Sequence, residues 1–432
     1  MSRVKPRGVP MGASSRDGRQ LTSVEICAGA GGQAVGLHKA GYRHLALVEY
    51  DTHAVATLRE NVKNWPEWGR AKADRLVPAD VREFRNSDTF TELALPPGEL
   101  DLLAGGVPCP PFSLAGRQLG ENDERDLFPE MLKLVDALRP KSVLIENVRG
   151  ILAPRETFAS YRKKILDELW HLGYDVAEEG PGLSRTWRIL EARDYGVPQL
   201  RPRAILVAIR RDVLGGRKFV WPTRKKGAIV SVADALRETM WQRCEPHGDR
   251  GRKVFLDWLN QAEAAKRSDS GGVAPTLVGG SRKHGGADLG PTRAKKAWGL
   301  LGVDGMGIAN DPDRCDKDRD LFRPRGPMLT VEQAAIIQGF PASWNFQGGK
   351  TAQYRQVGNA FPPPVAEAIG RAIASILIPE RSSDLLKGLV MEDAGLGAGD
   401  SGFIQSQIPE SAFAEVNSSR NDRRDNLVGA DR

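Results

Sequence analysis

Residues 21–41 read LTSVEICAGAGGQAVGLHKAG, and the fold class turns on how this stretch divides. Leu21 to Cys27 is a short, largely apolar run of the kind that forms a buried strand. It passes directly into Gly29, Gly31 and Gly32, after which QAVGLHKA carries helical spacing that Gly41 stops. A strand, a glycine turn and a helix in that order open an α/β sheet rather than a helical bundle or a sandwich. Gly29-Ala-Gly31-Gly32-Gln-Ala34 also fits the G-x-G-x-x-G/A spacing, whose glycines permit a tight turn and let a ligand approach the helix N-terminus.

Outward from this turn, HLALVEYD (44–51) is a second strand ending in acids. Glu49 lies twenty residues after Gly29, where a carboxylate at a strand end accepts hydrogen bonds from ribose hydroxyls. Turn and acid together imply an adenosine-containing cofactor; the alternative is a packing turn beside a surface acid. Asp80, in PADVREF, falls where a third strand would end and could reach an adenine amine, although alone it reads as a solvated or helix-capping acid. ELDLLAGG (99–106), SVLIENV (142–148) and RAILVAI (203–209) supply further strands, with the helical LFPEMLKLVDALRP between the first two. This alternation predicts a doubly wound, Rossmann-like parallel sheet with helices on both faces.

Composition bounds the function. The 432 residues, 40% of them hydrophobic, suffice for one large core and a smaller second one. No stretch approaches the ~20 unbroken apolar residues of a membrane span, and MSRVKPRGVPMGASSRDGRQ lacks the apolar centre of a signal peptide, so a cytoplasmic location with no membrane partner is expected. Four cysteines (Cys27, Cys109, Cys244, Cys315) form no Cys-x-x-Cys pair, which argues against a disulfide framework and against a zinc site. The net charge of +7 suits a polyanionic partner without identifying one.

One cysteine stands apart. In GGVPCPPFSLAG (105–116), Cys109 lies between Pro108 and Pro110-Pro111, beyond the strand that ends at Gly106. Ligands of an open α/β sheet bind beyond the carboxyl ends of its strands, so this loop is delivered to the cofactor. The prolines fix φ and hold Cys109 extended, which suits a preorganised nucleophile as well as it suits a small packed residue. Glu146 and Asn147 end the next strand at the same edge, and a carboxyl there can serve a thiol nucleophile as acid or hydrogen-bond partner. Gln199-x-Arg201-x-Arg203 leads into a strand, and alternation puts three donors on one face, fit for phosphate, carboxylate or a base carbonyl.

Taken together, Glu25-Ile-Cys27-Ala28-Gly29-Ala-Gly31-Gly32, Glu49, Asp80, Pro108-Cys109-Pro110, Glu146-Asn147-Val148, Gln199-x-Arg201-x-Arg203, Thr330-x-Glu332-x-Ala334 with Gly339-Phe340-Pro341, and Gln356-Val-Gly358-Asn359-Ala360 resemble the DNA cytosine-5 methyltransferases. Seven ordered motifs cover about 21–214 and 323–378. The resemblance implies that Cys109 adds to C6 of a flipped-out cytosine, that Glu146 contacts ring N3 and the exocyclic amine, and that Arg203 and Arg201 stabilise the base carbonyl and the nucleophile loop. It implies S-adenosyl-L-methionine over the glycine turn (Cys27, Ala28, Gly29, Gly31, Gly32), its ribose at Glu49, its adenine near Tyr50, Asp80 and Val81, with Pro108, Asn359 and Ala360 completing the site. Cys27 departs from the family's usual Phe, and Pro110 stands where Gln is frequent.

The expected domains are a disordered basic arm (1–20), a catalytic domain (21–214), an irregular, basic target-recognition domain (215–350), a returning helix (351–379) and a disordered tail (380–432). Thr276-Leu277-Val278 resembles the family's Thr-Leu/Ile-Val element. Ser113, Gln199, Thr276, Arg282, Lys283 and Arg293 are candidate DNA contacts. The expected partner is double-stranded DNA bound by a monomer, with a restriction endonuclease as a genetic rather than physical partner. A transfer-RNA methyltransferase sharing the catalytic motifs and a DNA-binding protein with a dead site are the competing readings. The first carries a Cys-Phe-Thr signature, whereas Glu follows Cys244 and Asp follows Cys315 here.

Overall fold

The computed structural model describes residues 20–108, 126–153, 156–176, 183–227, 229–279 and 287–392. Cys109, Ser113, Arg282, Lys283 and the segment 393–432 lie outside them, as does the basic arm apart from Gln20. The opening stretch divides as its residues dictate. β1 (Leu21–Ile26) is followed by a turn in which Cys27, Gly29 and Gly31 all have positive φ, then by α1 (Gly32–Lys39) and β2 (Tyr42–Val48). α2 (Thr52–Val62) starts where Asp51 caps the amides of His53 and Ala54. β3 (Leu102–Gly105), α3 (Phe128–Leu138), β4 (Ser142–Val148) and α4 (Glu156–His171) continue the alternation. β5 (Tyr174–Asp175), β6 (Trp187–Glu191) and β7 (Pro202–Arg210) complete a seven-stranded sheet of order β2-β1-β3-β4-β7-β5, with β6 beside β7.

The sheet is mixed rather than wholly parallel. β1, β2, β3 and β4 pair parallel, but β7 runs antiparallel to β4, β5 and β6. Direction decides which edge the start of β7 reaches, because a parallel β7 would start at the opposite edge from the ends of β1, β3 and β4. Antiparallel pairing brings Arg203 opposite Val148, at the carboxyl edge of β4. Strand alternation then splits the core. Val24, Ile26, Leu103, Val143 and Ile145 pack under α3 and α4, while Leu102, Ala104, Leu144, Ile205 and Val207 pack under α1 and the late helix Pro363–Leu377.

The insert is more regular than its composition suggests. After β8 (Pro222–Lys225) it contains α5 (Val232–Cys244), α6 (Gly248–Ala265) and α7 (Thr292–Leu300). α5 opens with a capping box of Ser231 and Asp234, and α6 buries Phe255, Trp258 and Ala262 at helical spacing. These residues share one apolar cluster with Val35 and Leu58 of α1 and α2, so the insert packs directly behind the glycine turn. α8 (Val331–Gln338), α9 (Lys350–Asn359) and α10 (Pro363–Leu377) return to the sheet, Thr330 and Gln333 forming a capping box for α8. The expected disordered tail begins too early: α11 (Ser382–Leu386) packs near α10, and β9 (Leu389–Met391) pairs antiparallel with β8. Arg188 clasps Glu392 through two bonds of 2.7 and 3.0 Å, which anchors this return.

α1 meets the loop before α10 at Gly32, where an added Cβ would lie 2.2 Å from the Phe361 carbonyl oxygen. Gly32→Ala is therefore expected to lower stability by about 1–3 kcal/mol, the usual cost of overpacking a close backbone approach, and thermal melting of the variant checks it.

Candidate active site

β1 and β3 are neighbours, and the chain leaves β1 towards β2 on one side while β3 stands on the other, so their carboxyl ends flank a topological switch point. A cavity of about 1000 Å³ opens there. Its floor is Glu25, Cys27, Ala28, Gly29, Gly32 and Gln33; one wall is Glu49, Tyr50, Asp80 and Val81. Further lining comes from α9 and the residues after it: Arg355, Gln356, Asn359, Ala360 and Phe361. At the far end Gly106, Pro108 and Glu146 join the same cavity. Candidate donor contacts and the candidate base contact thus border one continuous space.

Glu49 holds the glycine turn as well as lining the cavity. Its Oε2 accepts from the Gly29 amide at 2.7 Å and its Oε1 from the Asp51 amide at 2.8 Å. Burial raises its carboxyl above the ordinary range, against the lowering effect of those amides. No third strand precedes Asp80; it caps the short helix Val81–Phe84, accepting from the Arg82 amide and pairing with the Arg82 guanidinium at 3.0 Å, and faces the cavity from there. Burial pushes the Cys27 thiol up to about 12, with Glu49 and Asp80 adding to the effect, so it stays protonated. Gly31 does not line the cavity. It turns the chain at φ 88° and lies against Trp344, whose Nε1 donates to the Ala30 carbonyl at 2.9 Å.

At the far end, Arg203 Nε meets Glu146 Oε1 at 2.7 Å, both side chains 13% exposed. Asn147 donates to the Val107 carbonyl at 2.9 Å, and the Leu127 amide reaches the Pro108 carbonyl at 3.5 Å. The first bond ties the entry of the Cys109 loop to the strand that carries Glu146, and the second joins the residues on either side of the loop to each other.

Three expectations about the Gln-x-Arg-x-Arg run and its neighbour need correction. Gln199 is fully buried, accepts from the Leu277 amide at 2.7 Å and donates to Gln338 at 2.8 Å, so it faces no DNA. Arg201 is also buried; it donates to the carbonyls of Leu277, Gly358 and Ala360 at 2.7, 2.7 and 3.0 Å and does not border the cavity. The reason is local: β7 starts only at Pro202, so the alternation expected of three residues covers Arg203 alone. Thr276 gives its hydroxyl to the Leu200 carbonyl at 2.5 Å, fastening its segment to the catalytic sheet. Arg293 is exposed in the first turn of α7.

The sequence reading missed Glu25. It is fully buried in β1 between Leu47 and Ala104, borders the cavity, and neither of its oxygens has a hydrogen-bond partner among the described residues. Burial, with the charge of Glu49, holds its carboxyl well above the usual range. An acid flanked by Val24 and Ile26, one residue before the end of a buried strand, is the available signal. No described His, Cys, Asp and Glu cluster could hold a metal ion, and no described helix is long and apolar enough to cross a membrane.

The family model for C-5 cytosine-specific DNA methylase matches residues 21–375. The chain is 46% identical to the Type II methyltransferase M.NaeI of Lentzea aerocolonigenes over 364 residues, 83% of this chain and 76% of that one. It is 40% identical to the Type II methyltransferase M.NgoMIV of Neisseria gonorrhoeae over 366 residues, 84% and 99% of the two chains. The crystal structure of a prophage-encoded E. coli protein shares the fold, with a TM-score of 0.51 at 21% identity over 83% of this chain and 99% of that one. A cavity at the switch point, a paired glutamate and arginine at its far end and a family match spanning both halves of the sheet lead to one assignment: the chain belongs to the C-5 cytosine-specific DNA methylases.

Proposed function

We propose that the protein methylates C5 of a flipped-out cytosine within a specific double-stranded DNA sequence, using S-adenosyl-L-methionine, and that this protects host DNA from a cognate restriction endonuclease. The observation that carries the reading is the single cavity running from Glu25 and Glu49 to Glu146. The fit to the donor rests on chemistry. An orphaned carboxyl at the floor suits an ammonium group, Glu49 suits ribose hydroxyls, and the turn at Gly29 leaves open space. When bound, the donor supplies an electrophilic methyl group. The chain's own residues hold and activate the base: the loop at Val107-Pro108 presents the Cys109 thiolate to C6, Glu146 hydrogen-bonds the ring N3 and exocyclic amine, and Arg203 holds the Glu146 carboxyl at 2.7 Å; after methyl transfer, loss of the C5 proton expels the thiolate and restores the C5–C6 double bond. Stacking hides C5 and C6 in a duplex, so the base has to leave the helix to reach this cavity.

Incubation with radiolabelled methyl donor and either duplex DNA or transfer RNA tests the reading. Label is expected in DNA; label in RNA alone overturns it. Bisulfite sequencing of DNA from expressing cells then reads the target, and resistance of that DNA to an endonuclease cutting there checks the protective role.

Glu25 gives a pH-dependent prediction. Its folded carboxyl holds a proton that the unfolded chain releases near pH ~4.3, so ligand-free stability falls as pH rises from there to the raised folded value and is level above it. Glu25→Gln removes that fall. The ligand-free variant should melt above the parent at neutral pH, yet bind S-adenosylhomocysteine roughly 10–100-fold more weakly, the usual value of a charge-assisted hydrogen bond. Calorimetry showing parental affinity would exclude Glu25 from the donor site.

A further inference from the structure

Arg201 is the point of departure. The residue is 1% exposed, and among the described residues its guanidinium bonds only backbone carbonyls. A buried cation costs several kcal/mol to desolvate, and a hydrocarbon of similar size would fill the space without that cost. What the charge supplies is three charge-assisted bonds to backbone carbonyls of two separate segments: Leu277 at 2.7 Å on one side, Gly358 and Ala360 at 2.7 and 3.0 Å on the other.

Those segments belong to parts of the chain that meet different ligands in the proposed function. Residues 358–360 end α9, whose Arg355, Gln356 and Asn359 form the wall of the donor cavity. Leu277 belongs to the Thr276-Leu277-Val278 element of the insert, which leads into the basic stretch 281–284. The two backbones lie directly on each other. A Cβ at Gly358 would sit 2.6 Å from the Gly279 nitrogen, and one at Gly279 would sit 2.2 Å from Asn359 Oδ1. Gln199 and Gln338 extend the same buried network, Gln199 accepting from the Leu277 amide while Gln338 donates to the Ala360 carbonyl. A shift of the insert on DNA is therefore transmitted to the donor wall through Arg201 or is resisted by it.

We propose that Arg201 is a positioning residue that couples the two sites, so that DNA held by the insert and donor held in the cavity bind each other's complex more tightly than the free protein. This rests on reading the insert as the DNA-contacting part of the proposed methyltransferase. Reciprocity follows from linkage: whatever factor DNA adds to donor affinity, donor adds to DNA affinity.

The experiment measures S-adenosylhomocysteine affinity by calorimetry, without and with saturating fragments of unmethylated plasmid DNA shown to be methylated by the parent protein. The parent should bind the ligand about fivefold or more tightly with DNA present. Arg201→Lys keeps the charge but cannot reach three carbonyls, and the ratio should fall to about one while affinity without DNA changes by less than about threefold. A parent ratio of one, or an undiminished ratio in Arg201→Lys, overturns the proposal. Should Arg201→Lys fail to fold, Gly279→Ala, which pushes on Asn359 from the insert side, decides by the same ratio: a reduced value supports the coupling and a parental one overturns it. Absence of any label transfer from the parent to DNA would instead sink the methyltransferase reading, so the two failures are distinguishable.

Discussion

Exchange of Cys109 for serine is expected to abolish methyl transfer, by about four orders of magnitude or more, while S-adenosylhomocysteine binding stays within about twofold of the parent. A cysteine is a few per cent thiolate near neutral pH and strongly nucleophilic in that form, whereas a serine hydroxyl needs a base to become comparable. The entry to the Cys109 loop is held by two hydrogen bonds, the Asn147 side-chain amide to the Val107 carbonyl and the Leu127 backbone amide to the Pro108 carbonyl, and these do not involve the thiol. The donor end of the cavity, at Glu25 and Glu49, is likewise built from other residues. Loss of rate without loss of donor affinity is the signature of a group that acts only in the reaction. Single-turnover assays and denaturant-resistant trapping on duplexes containing 5-fluorocytosine check it. Trapping by the serine variant, or its failure with the parent, would refute covalent addition by Cys109.

What the sequence showed of this site depended on range. The glycine turn, Glu49 and the ends of β3 and β4 are local: a strand, its terminating residues and the next helix are adjacent in the chain, so pattern alone places them at one sheet edge. Arg203 was also legible as a side chain, but its arrival beside Glu146 depends on β7 being antiparallel, and no residue within RAILVAI records direction. Gln199 and Arg201 failed for a related reason. Alternation predicts which face a residue takes, not whether that face is already covered, and here α8, α9 and the segment at Leu277 cover it. Glu25 looked like part of a motif; its isolation is visible only once Leu47 and Ala104 flank it on neighbouring strands. The insert hid its helices behind a Gly, Arg and Lys-rich composition, although Phe255, Trp258 and Ala262 keep a helical spacing. Trp344 illustrates the limit, since nothing around it in the chain announces a bond to Ala30.

The Glu146–Arg203 pair yields the second large effect, and the two partners should fail differently. Glu146→Gln keeps the shape and an acceptor oxygen for Arg203 Nε, so the fold should tolerate it, but an amide cannot exchange a proton with ring N3. The rate should fall by about 10²–10⁴-fold, the usual worth of a positioned acid–base group, with S-adenosylhomocysteine affinity nearly unchanged. Arg203→Gln removes the cation instead. Both side chains are only 13% exposed, and burial lowers the Arg203 guanidinium while Glu146 beside it works in the opposite direction. Breaking one side of such a pair costs about 3–5 kcal/mol, because the remaining carboxylate is left buried beside Gly106, where a Cβ would lie 3.3 Å from its Oε2. Arg203→Gln should therefore lose both rate and melting temperature, and the double variant should regain part of the stability and none of the rate. Thermal melts and single-turnover rates on the three variants measure this. A Glu146→Gln enzyme with parental rate, or one whose loss appears wholly as weaker donor binding, would remove Glu146 from the chemistry and leave it a structural partner of Arg203.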